Sequence, residues 1–446
     1  MACQQGPNTD RCVKNTFKMT RSKDIQLHHL PTDVLRGILS RLTLKEAVQM
    51  SILSRKWRRL WKCYPKLVFT RATMRSSDAM AGHQKPLRTR FIRGINSVTR
   101  QLKSVNLNKF VVKFALRKRH TPHIDRWINF SAKSRTKHVV LDLCPRRRFS
   151  ADTDDRYSFP LHLFNASSGS CVKSLRLGYV YLTLSPDLGG FSNLKKLSLH
   201  KVQFCSLTKL DIQAPNLTTF VFDDYMIPIV LGEPLKISEA TISLFASSDC
   251  FNYVFRDLVN ALSHVQSLSI SFGLETEVTR FVKSPTRLTN LRHLVLKIDI
   301  SGKAETAGEL LRLTYLLELA PVLEELVLNM SSFTSANHVQ ELSEDVYQPH
   351  PHSHLKTVHM TGFYGLRGQL ELARYLLRNA TSLNRMIIDP MVRNHWHIPP
   401  MVVAKVNMEI GRERAIDVRW PDLRRVNTNI SLDKEEAKSN AYLFIL

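Results

Sequence analysis

The sequence predicts an α/β fold in which a short module of helices precedes a long repetitive region built on a parallel sheet. Three observations favour this fold. Apolar residues recur at helical spacing three times between residues 30 and 69, a strand-like unit recurs nine times between residues 138 and 388, and helix-like stretches separate the later units. Chains in which strands alternate with helices usually form parallel sheets that the helices cover.

The first predicted helix follows Pro31, which suits a first helical turn because it lacks an N–H group and has a fixed φ. Its apolar residues are spaced to share one stripe of the helix: Val34, Leu35, Ile38, Leu39 and Leu42. Thr43 and Glu46 predict the start of a second helix, because a threonine followed three residues later by a glutamate forms a capping box.

A third helix is predicted after Ser54, whose side chain can cap it, and Pro65 ends it. Its apolar residues recur at i, i+3, i+4 and i+7: Trp57, Leu60, Trp61 and Tyr64. Basic residues occupy the opposite face. A module of this size with this much leucine and tryptophan cannot bury all of its apolar surface within itself. We therefore expect another surface to cover part of it.

This module resembles the F-box of plant F-box proteins. The resemblance lies in the Leu30-Pro31 entry, the leucine-rich first helix, the segment LTLKEAVQMSILS (42–54) and the segment RKWRRLW (55–61). It implies that residues 24–69 bind a Skp-type adaptor of an SCF (cullin–RING) ubiquitin ligase and, through it, cullin. The alternative is an ordinary three-helix subdomain that packs on the rest of the chain.

Nine residues of this module are predicted to contact the adaptor or to support the residues that do. They are the large apolar residues and the entry proline: Leu30, Pro31, Ile38, Leu39, Leu42, Val48, Leu53, Trp57 and Trp61. Helical spacing alone does not separate the internal core from an interface.

The repeated unit is an apolar residue, two variable residues and then apolar-x-apolar. It occurs at 138–143, 171–177, 193–199, 216–222, 265–270, 290–296, 322–328, 354–360 and 382–388. Each unit predicts a short strand whose two apolar residues turn inward, and stacking the units buries a face that one unit cannot cover. The region resembles the leucine-rich repeats that follow the F-box in plant F-box proteins. A conventional α/β domain is the alternative, and 234–245 is a degenerate repeat.

Residues beside the inward leucines are expected to face solvent and to form a protein-binding surface. The predicted outward residues are Lys195, Lys196, Ser198, His293, Lys297, Glu324 and Glu325. The apolar spacing also predicts helices at 87–102, 123–131, 251–264 and 309–319, and a buried strand at 109–116.

The segment 354–390 resembles the FBD motif at the carboxyl end of many such proteins. It predicts a strand, a helix and a strand that cap the open end of the repeats. A further helix is predicted at 403–414, and residues 427–440 are polar and expected to be loose. The predicted domains are a disordered leader at 1–23, the F-box at 24–69, a linker at 70–86, leucine-rich repeats at 87–353, the FBD-like unit at 354–390 and a C-terminal extension at 391–446.

The chain is strongly basic, with 64 Lys and Arg residues against 38 acidic residues and a formal net charge of +26. This balance favours acidic proteins, phosphorylated proteins or nucleic acid as partners. The basic residues are spread along the chain, and no zinc finger, RNP motif or basic zipper occurs, which disfavours nucleic acid. The short runs 117–119 and 146–148 suit either solvated loops or a nuclear import signal.

Seven cysteines without a C-x-x-C pair indicate reduced thiols. The first residues lack an apolar signal-peptide core, and no segment is apolar enough to span a membrane. We therefore expect a location in the cytoplasm, the nucleus or both.

No catalytic signature is present, because the sequence lacks a glycine-rich phosphate loop and a G-x-S-x-G motif. We therefore predict no catalytic residue, no cofactor and no metal site, and we expect Cys63 to be a packing residue. The spacing of His350, His352 and His354, with His395 and His397, could suit a metal. No carboxylate or cysteine lies at ligand spacing, so a solvated loop is the favoured interpretation.

These patterns lead to one expected function and one alternative. The resemblance implies a substrate-recognition subunit of an SCF ubiquitin ligase, which is an adaptor and not an enzyme, with a protein substrate on the repeats. The alternative is a basic scaffold that binds nucleic acid or proteins outside a ligase.

Overall fold

The computed structural model describes most of the amino-terminal helices and most of the repeats. The described residues are 30–73, 84–102, 106–145, 155–164, 166–182, 190–204, 210–212, 214–231, 236–245, 250–275, 285–301, 310–332, 350–363, 367–391, 424–426, 429–431 and 442–445. The chain divides between Tyr64 and Pro65 into two compact units, which we describe separately.

The first unit contains the three predicted helices: α1 (Thr32–Arg41), α2 (Leu44–Leu53) and α3 (Arg55–Trp61). The predicted capping box is confirmed, since the Thr43 N–H donates to Glu46 Oε2 at 2.7 Å and the Glu46 N–H donates to Thr43 Oγ1 at 3.4 Å. The Ser54 hydroxyl accepts the N–H of Trp57 at 3.3 Å and caps α3. These caps satisfy donors that each helix leaves unpaired at its first turn.

Two long polar side chains tie the residues that flank α1 to α3 and the residues that follow it. The Tyr64 hydroxyl donates to the Leu42 carbonyl at 2.8 Å, and Lys56 Nζ donates to the Leu30 carbonyl at 2.8 Å. Burial raises the pKa of Tyr64 to about 12, with a smaller contribution from Glu46, so the phenol keeps its proton. The buried apolar residues of this unit are Leu35, Leu39, Leu44, Ala47, Trp57, Leu60, Trp61 and Tyr64.

The second unit is built on strands. Their bounds are β1 Lys66–Thr70, β2 Lys109–Lys113, β3 His138–Asp142, β4 Tyr157–Ser158, β5 Ser174–Gly178, β6 Val180–Leu182, β7 Lys196–His200, β8 Gln203–Phe204, β9 Leu210–Ile212, β10 Thr219–Tyr225, β11 Ile229–Leu231, β12 Glu239–Phe245, β13 Ser267–Glu275, β14 His293–Ser301, β15 Glu325–Ser332, β16 Thr357–Thr361, β17 Arg385–Asp389, β18 Arg424–Val426, β19 Asn429–Ser431 and β20 Tyr442–Ile445.

Fifteen of the described strands form one sheet, in the order β1-β2-β3-β5-β7-β10-β12-β13-β14-β15-β16-β17-β20-β19-β18. Every neighbouring pair from β1 to β20 is parallel, and the last two pairs are antiparallel. Two small parallel sheets, β4-β6-β8 and β9-β11, accompany it. The predicted parallel sheet of repeats is therefore confirmed.

The helices of this unit lie between the strands along the chain. They are α4 Gln84–Gln101, α5 Thr121–Lys133, α6 Ala166–Gly169, α7 Cys250–Asn252, α8 Val259–Ala261, α9 Leu313–Leu319 and α10 Arg367–Asn379, with 3-10 turns at Lys118–His120 and Leu161–Leu163. The helix predicted at 251–264 is not regular, because Tyr253–Leu258 forms a π-helical turn between α7 and α8. A π turn adds a residue per turn, which apolar spacing does not reveal.

The register of the strands explains the core. The second and fourth residues of each strand align across the sheet, as in the rows Leu175–Leu197–Phe220 and Leu177–Leu199–Phe222. These rows are apolar and at most 3% exposed. The repeat that looked degenerate stays in register, since Ala240 pairs with both Phe220 and Leu268.

One glycine is required at the end of β16. Gly362 has φ +65°, and a Cβ built there would lie 1.9 Å from the Met330 carbonyl oxygen. Both the left-handed backbone and this close approach exclude a side chain. The Gln369 side chain donates to the Gly362 carbonyl at 3.0 Å and so joins this turn to α10.

The carboxyl end corrects one expectation. The predicted strand–helix–strand of the FBD-like segment is present as β16, α10 and β17, but β17 does not end the sheet. It pairs in parallel with β20, and β20 pairs with β19. The prediction that this segment caps the repeats is therefore wrong, because β20 continues the sheet beyond β17. The prediction that residues 427–440 are loose is wrong for Asn429–Ser431, which form β19. The helix predicted at 403–414 lies outside the described residues.

The part of the chain that the structure describes holds no helix whose length and apolar character would let it cross a lipid bilayer.

Candidate functional site

The first unit leaves large apolar side chains open to solvent. In α2, Ile52 is 80% exposed and Leu53 is 71% exposed, and in α1 Val34 is 43% exposed. Among the described residues only three other large apolar side chains are exposed, and these are Tyr225, Val230 and Met391. Exposed apolar residues are normal when scattered, but two adjacent ones on one short helix favour an interaction surface.

The helical periodicity of α2 explains which residues are exposed. Leu44 and Ala47 share one side and are buried. Val48 is half-buried and Ile52, one turn later, continues the same ridge into solvent. A similar ridge in α1 runs from exposed Val34 to half-buried Ile38. The α1 ridge is open at its start and the α2 ridge is open at its end.

The structure divides the nine predicted adaptor residues into three groups. Buried within the unit are Leu39, Trp57 and Trp61; half-buried are Leu30, Ile38, Leu42 and Val48; exposed are Pro31 and Leu53. The buried group forms the core that holds the helices together. The exposed and half-buried groups are the ones that a partner can contact directly.

Two residues of this surface were missed by the sequence reasoning. Ile52 is the most exposed large apolar residue among those described, and Val34 is also exposed. Both stand four residues from a predicted residue, Val48 and Ile38 respectively, so the i, i+4 rule could have found them.

The first unit carries an excess of positive charge. Residues 30–64 contain eight Lys and Arg residues and two acidic residues. One of the acids, Glu46, is held by the capping box, and the hydrogen bonds from the Thr43 N–H and hydroxyl lower the pKa of its carboxyl. An acidic partner would therefore meet an attractive potential around the exposed leucine and isoleucine.

The sheet offers a second candidate surface at the edge where its strands begin. In its amino-terminal half, five exposed lysines lie at, or just before, the first residue of consecutive strands: Lys109, Lys137, Lys173, Lys195 and Lys196. We call this set the lysine edge. The Lys173 N–H donates to the Lys137 carbonyl, and the Lys195 N–H donates to the Lys173 carbonyl, so these residues occupy one row. Neighbouring strands lie about 4.8 Å apart, which keeps the positive charges close.

The lysine edge is not neutralised by acids in the described part of the chain, where no ion pair involves these residues. His138 lies among them in the same row as Lys109. Burial, followed by the charges of Lys109, Lys173 and Lys137, lowers the pKa of His138. Burial and the neighbouring lysines therefore both disfavour the charged form of this imidazole.

The carboxyl-terminal half of the same edge is different, because its charges are paired across strands. Glu324 accepts from Arg292 at 2.5 Å and from Lys356 at 2.7 Å, and these two bases lower the pKa of its carboxyl. His293 contacts Glu325 at 3.1 Å. The predicted outward positions Lys195, Lys196, His293 and Glu325 are exposed, and Lys297 and Glu324 are half-buried.

Ser198 is an exception, and its predicted exposure is wrong. It is only 6% exposed, although it lies on the outward side of β7. Its neighbours in register are Arg176 and Val221. Both have longer side chains on adjacent strands, so they screen the serine from solvent.

The histidine cluster also differs from expectation. His352 is buried, with its Nε2 3.1 Å from the Tyr375 hydroxyl. Burial, followed by the neighbouring His350, lowers the pKa of His352 to about 4. The solvated-loop interpretation is therefore wrong for this residue, and its role is packing. His395 and His397 lie outside the described residues.

The described residues contain no group of three or more His, Cys, Asp or Glu side chains that could hold a metal ion. Cys63 is exposed and follows α3, so the prediction that it is a packing residue is wrong.

Comparisons with known proteins agree with this architecture. Residues 27–68 match the F-box domain, and residues 96–206 and 202–403 match the At1g61320/AtMIF1 LRR domain, so repeat matches span more than half of the chain.

Relatives in Arabidopsis thaliana cover between 43% and 87% of this chain. The F-box/FBD/LRR-repeat protein At1g13570 is 27% identical over 81% of this chain and 90% of its own length. The F-box/FBD/LRR-repeat protein At5g53840 is 24% identical over 87% of this chain and 94% of its own length. The F-box protein At1g80960 is 30% identical over 43% of this chain and 36% of its own length.

The helical first unit, the parallel sheet of repeats and the two family matches lead to one assignment. The chain belongs to the plant F-box proteins with leucine-rich repeats.

Proposed function

We propose that this chain is the substrate-recognition subunit of an SCF (cullin–RING) ubiquitin ligase. In this role the first unit binds a Skp-type adaptor, and the outward face of the repeats holds a protein substrate. The observation that carries the proposal is the exposure of Ile52 and Leu53 at the end of α2. Exposing two large apolar side chains to water is unfavourable, and a partner that covers them removes that cost.

The energy available from this surface is sufficient for a stable contact. Burying a large apolar side chain contributes roughly 1.5–3 kcal/mol, so Ile52 and Leu53 together supply roughly 3–6 kcal/mol. Each 1.4 kcal/mol is tenfold in affinity, which makes these two residues worth about 100-fold or more. The eight basic residues of the same unit add attraction to an acidic adaptor and speed the encounter.

The proposed mechanism requires no chemistry from this chain. A substrate held on the repeats is brought near a charged ubiquitin-conjugating enzyme, which the adaptor and cullin carry. Holding two reactants together raises their effective concentration, and that is the contribution of a receptor subunit.

The lysine edge supports a proposal for the class of substrate that the repeats prefer. Its five positive charges lie in one region and favour a protein segment rich in Asp, Glu or phosphorylated residues. The paired charges of Arg292, Glu324 and Lys356 on the other half offer less to such a segment. We therefore propose that an acidic or phosphorylated substrate binds across β2, β3, β5 and β7.

The adaptor contact can be tested by affinity purification of the full chain with a Skp-type adaptor. The variant Ile52→Asp with Leu53→Asp should lose the adaptor. The control is Met391→Asp, which places one carboxylate on a 56% exposed apolar residue of the repeat unit and should retain the adaptor. Equal recovery of the adaptor by the double variant and the wild-type chain would contradict the proposal.

A nucleic-acid role is the second candidate, because the lysine edge and the net charge of +26 both suit phosphates. It predicts that binding to random duplex DNA persists at physiological salt and weakens when Lys109, Lys173 and Lys196 are changed to serine. The ligase proposal predicts only weak binding that disappears as salt rises. A titration at several salt concentrations separates the two candidates.

A further inference from the structure

A cavity of about 460 Å³ lies in the second unit, away from the outward face of the sheet. It is lined by Arg88 and Arg93 of α4, by Arg119 and His120 of the 3-10 turn, and by His123 of α5. Arg119 belongs to the basic run 117–119, which neither the adaptor surface nor the lysine edge uses. The fold therefore gathers basic residues from three separate elements around one space.

The hydrogen bonds around the cavity leave it rich in donors. Asn96 also lines it, and its Oδ1 accepts the Trp127 Nε1–H at 2.8 Å, while its Nδ2 lies 3.4 Å from His123 Nδ1. His120 Nδ1 lies 3.1 Å from the Arg117 nitrogen and 3.2 Å from the Arg117 carbonyl oxygen. The Asn96 amide nitrogen can only donate, so Nδ1 of His123 accepts there and Nε2 of His123 carries the proton and remains a donor.

Positive charge predominates among the described residues around the cavity. The described residues that line it include no Asp or Glu. The nearby carboxylate of Asp155 pairs with Arg117 at 2.8 Å. Burial, followed by the charges of Arg119 and Arg117, lowers the pKa of Arg88. Burial and cationic neighbours including Arg119 and Arg88 likewise lower the pKa of His120. Like charges held together in this way are relieved when an anion binds between them.

We infer that this cavity binds a small molecule that carries phosphate groups. Arginine forks match phosphate oxygens in a bidentate manner, and the three guanidiniums come from two different elements, so they can hold phosphates from more than one side. The volume lies within the range of small-molecule sites, which is roughly 300–1,000 Å³. At about 30 Å³ per water molecule the cavity has room for roughly fifteen waters, which exceeds the need of one phosphate.

Isothermal titration of the full chain with sodium pyrophosphate, at constant ionic strength and neutral pH, tests this inference. The test variant is Arg93→Gln with Arg119→Gln, because both side chains are exposed and their change should not disturb the core. The control is Arg100→Gln with Arg126→Gln, which removes the same charge from exposed positions of α4 and α5 outside the cavity.

We expect saturable one-to-one binding by the wild-type chain, at least about tenfold weaker binding by the test variant, and a change of less than about twofold in the control. Absence of binding, or equal weakening in both variants, would overturn the inference, because diffuse positive charge would then explain any effect. A short duplex RNA and a phosphoserine peptide serve as competing probes. If either binds more tightly than pyrophosphate and loses affinity only in the test variant, the ligand is a macromolecule and the small-molecule assignment is wrong.

Discussion

The two units of this chain treat their apolar side chains in opposite ways. In the first unit Ile52 and Leu53 are 80% and 71% exposed, whereas in the sheet Ile270 and Leu296 are 0% and 1% exposed. Each strand of the sheet has neighbours of the same chain that cover it, so the repeats satisfy their own core. Within the described part of the first unit, Ile52 and Leu53 of α2 stay largely uncovered. The difference supports the proposal that a partner covers these two side chains, whereas the repeats bury their own core.

The largest expected effect on the free energy of unfolding comes from replacing one isoleucine in each unit with aspartate. Ile270→Asp buries a carboxylate among apolar residues and should lower the free energy of unfolding by more than about 4 kcal/mol. Ile52→Asp should change it by less than about 0.5 kcal/mol, because the side chain is already in water. Urea unfolding measures both variants. A large loss of stability for Ile52→Asp would show that this residue belongs to the core.

Lowering the pH should affect the stability of the two units differently. The described part of the first unit contains no histidine, whereas the repeat unit buries His352. The pKa of His352 is lowered to about 4, so between that value and the ordinary value of about 6.5 the unfolded chain binds the extra proton. The free energy of unfolding should therefore fall as the pH drops from about 6.5 to about 4, by on the order of 3 kcal/mol.

His352→Gln provides the control for this pH dependence, since an amide can still contact the Tyr375 hydroxyl and does not titrate. Urea unfolding as a function of pH should give a flatter curve for this variant. Equal slopes in wild type and variant would exclude His352 as the source.

Truncation without charge gives a smaller effect and separates binding from stability. Leu53→Ala should weaken adaptor binding by roughly 10- to 150-fold, corresponding to the loss of roughly 1.5–3 kcal/mol of apolar burial. Leu296→Ala should leave adaptor affinity unchanged but destabilise the repeat unit by about 2–5 kcal/mol, because it creates a cavity. Surface plasmon resonance and urea unfolding of both variants give the two pairs of values. The comparison fails if Leu296→Ala weakens the adaptor as much as Leu53→Ala does.

The smallest expected effect concerns the capping box. Thr43→Ala removes the acceptor for the Glu46 N–H and should destabilise α2 by about 1 kcal/mol. Hydrogen exchange should increase for amides of α2 and stay unchanged for β13 and β14. Uniformly faster exchange in both regions would mean that the two units unfold together.

The sequence was most informative where the structure repeats. The inward leucines of β5 and β7 are predictable, because strand alternation places them on one face and stacking leaves no other way to bury them. The capping box at Thr43 is equally local, since its partners lie three residues apart. In both cases the pattern and the structure depend on the same short range of sequence.

The remaining features depend on neighbours that are distant in sequence. Ser198 is buried because Arg176 and Val221 lie beside it in register, and His352 is buried because Tyr375 lies against it. The exposure of Ile52 likewise depends on which side of α2 the other helices cover. The cavity beside α4 needs the 3-10 turn at 118–120 to approach Arg88, which no local pattern predicts.

The central claim is that Ile52 and Leu53 form the contact with a Skp-type adaptor. Calorimetric titration of the full chain with purified adaptor at several temperatures tests it most directly. The account predicts one-to-one binding with a negative heat-capacity change, which marks apolar burial, and loss of that signal in Ile52→Asp with Leu53→Asp. Binding of unchanged affinity and heat capacity in the double variant would contradict it.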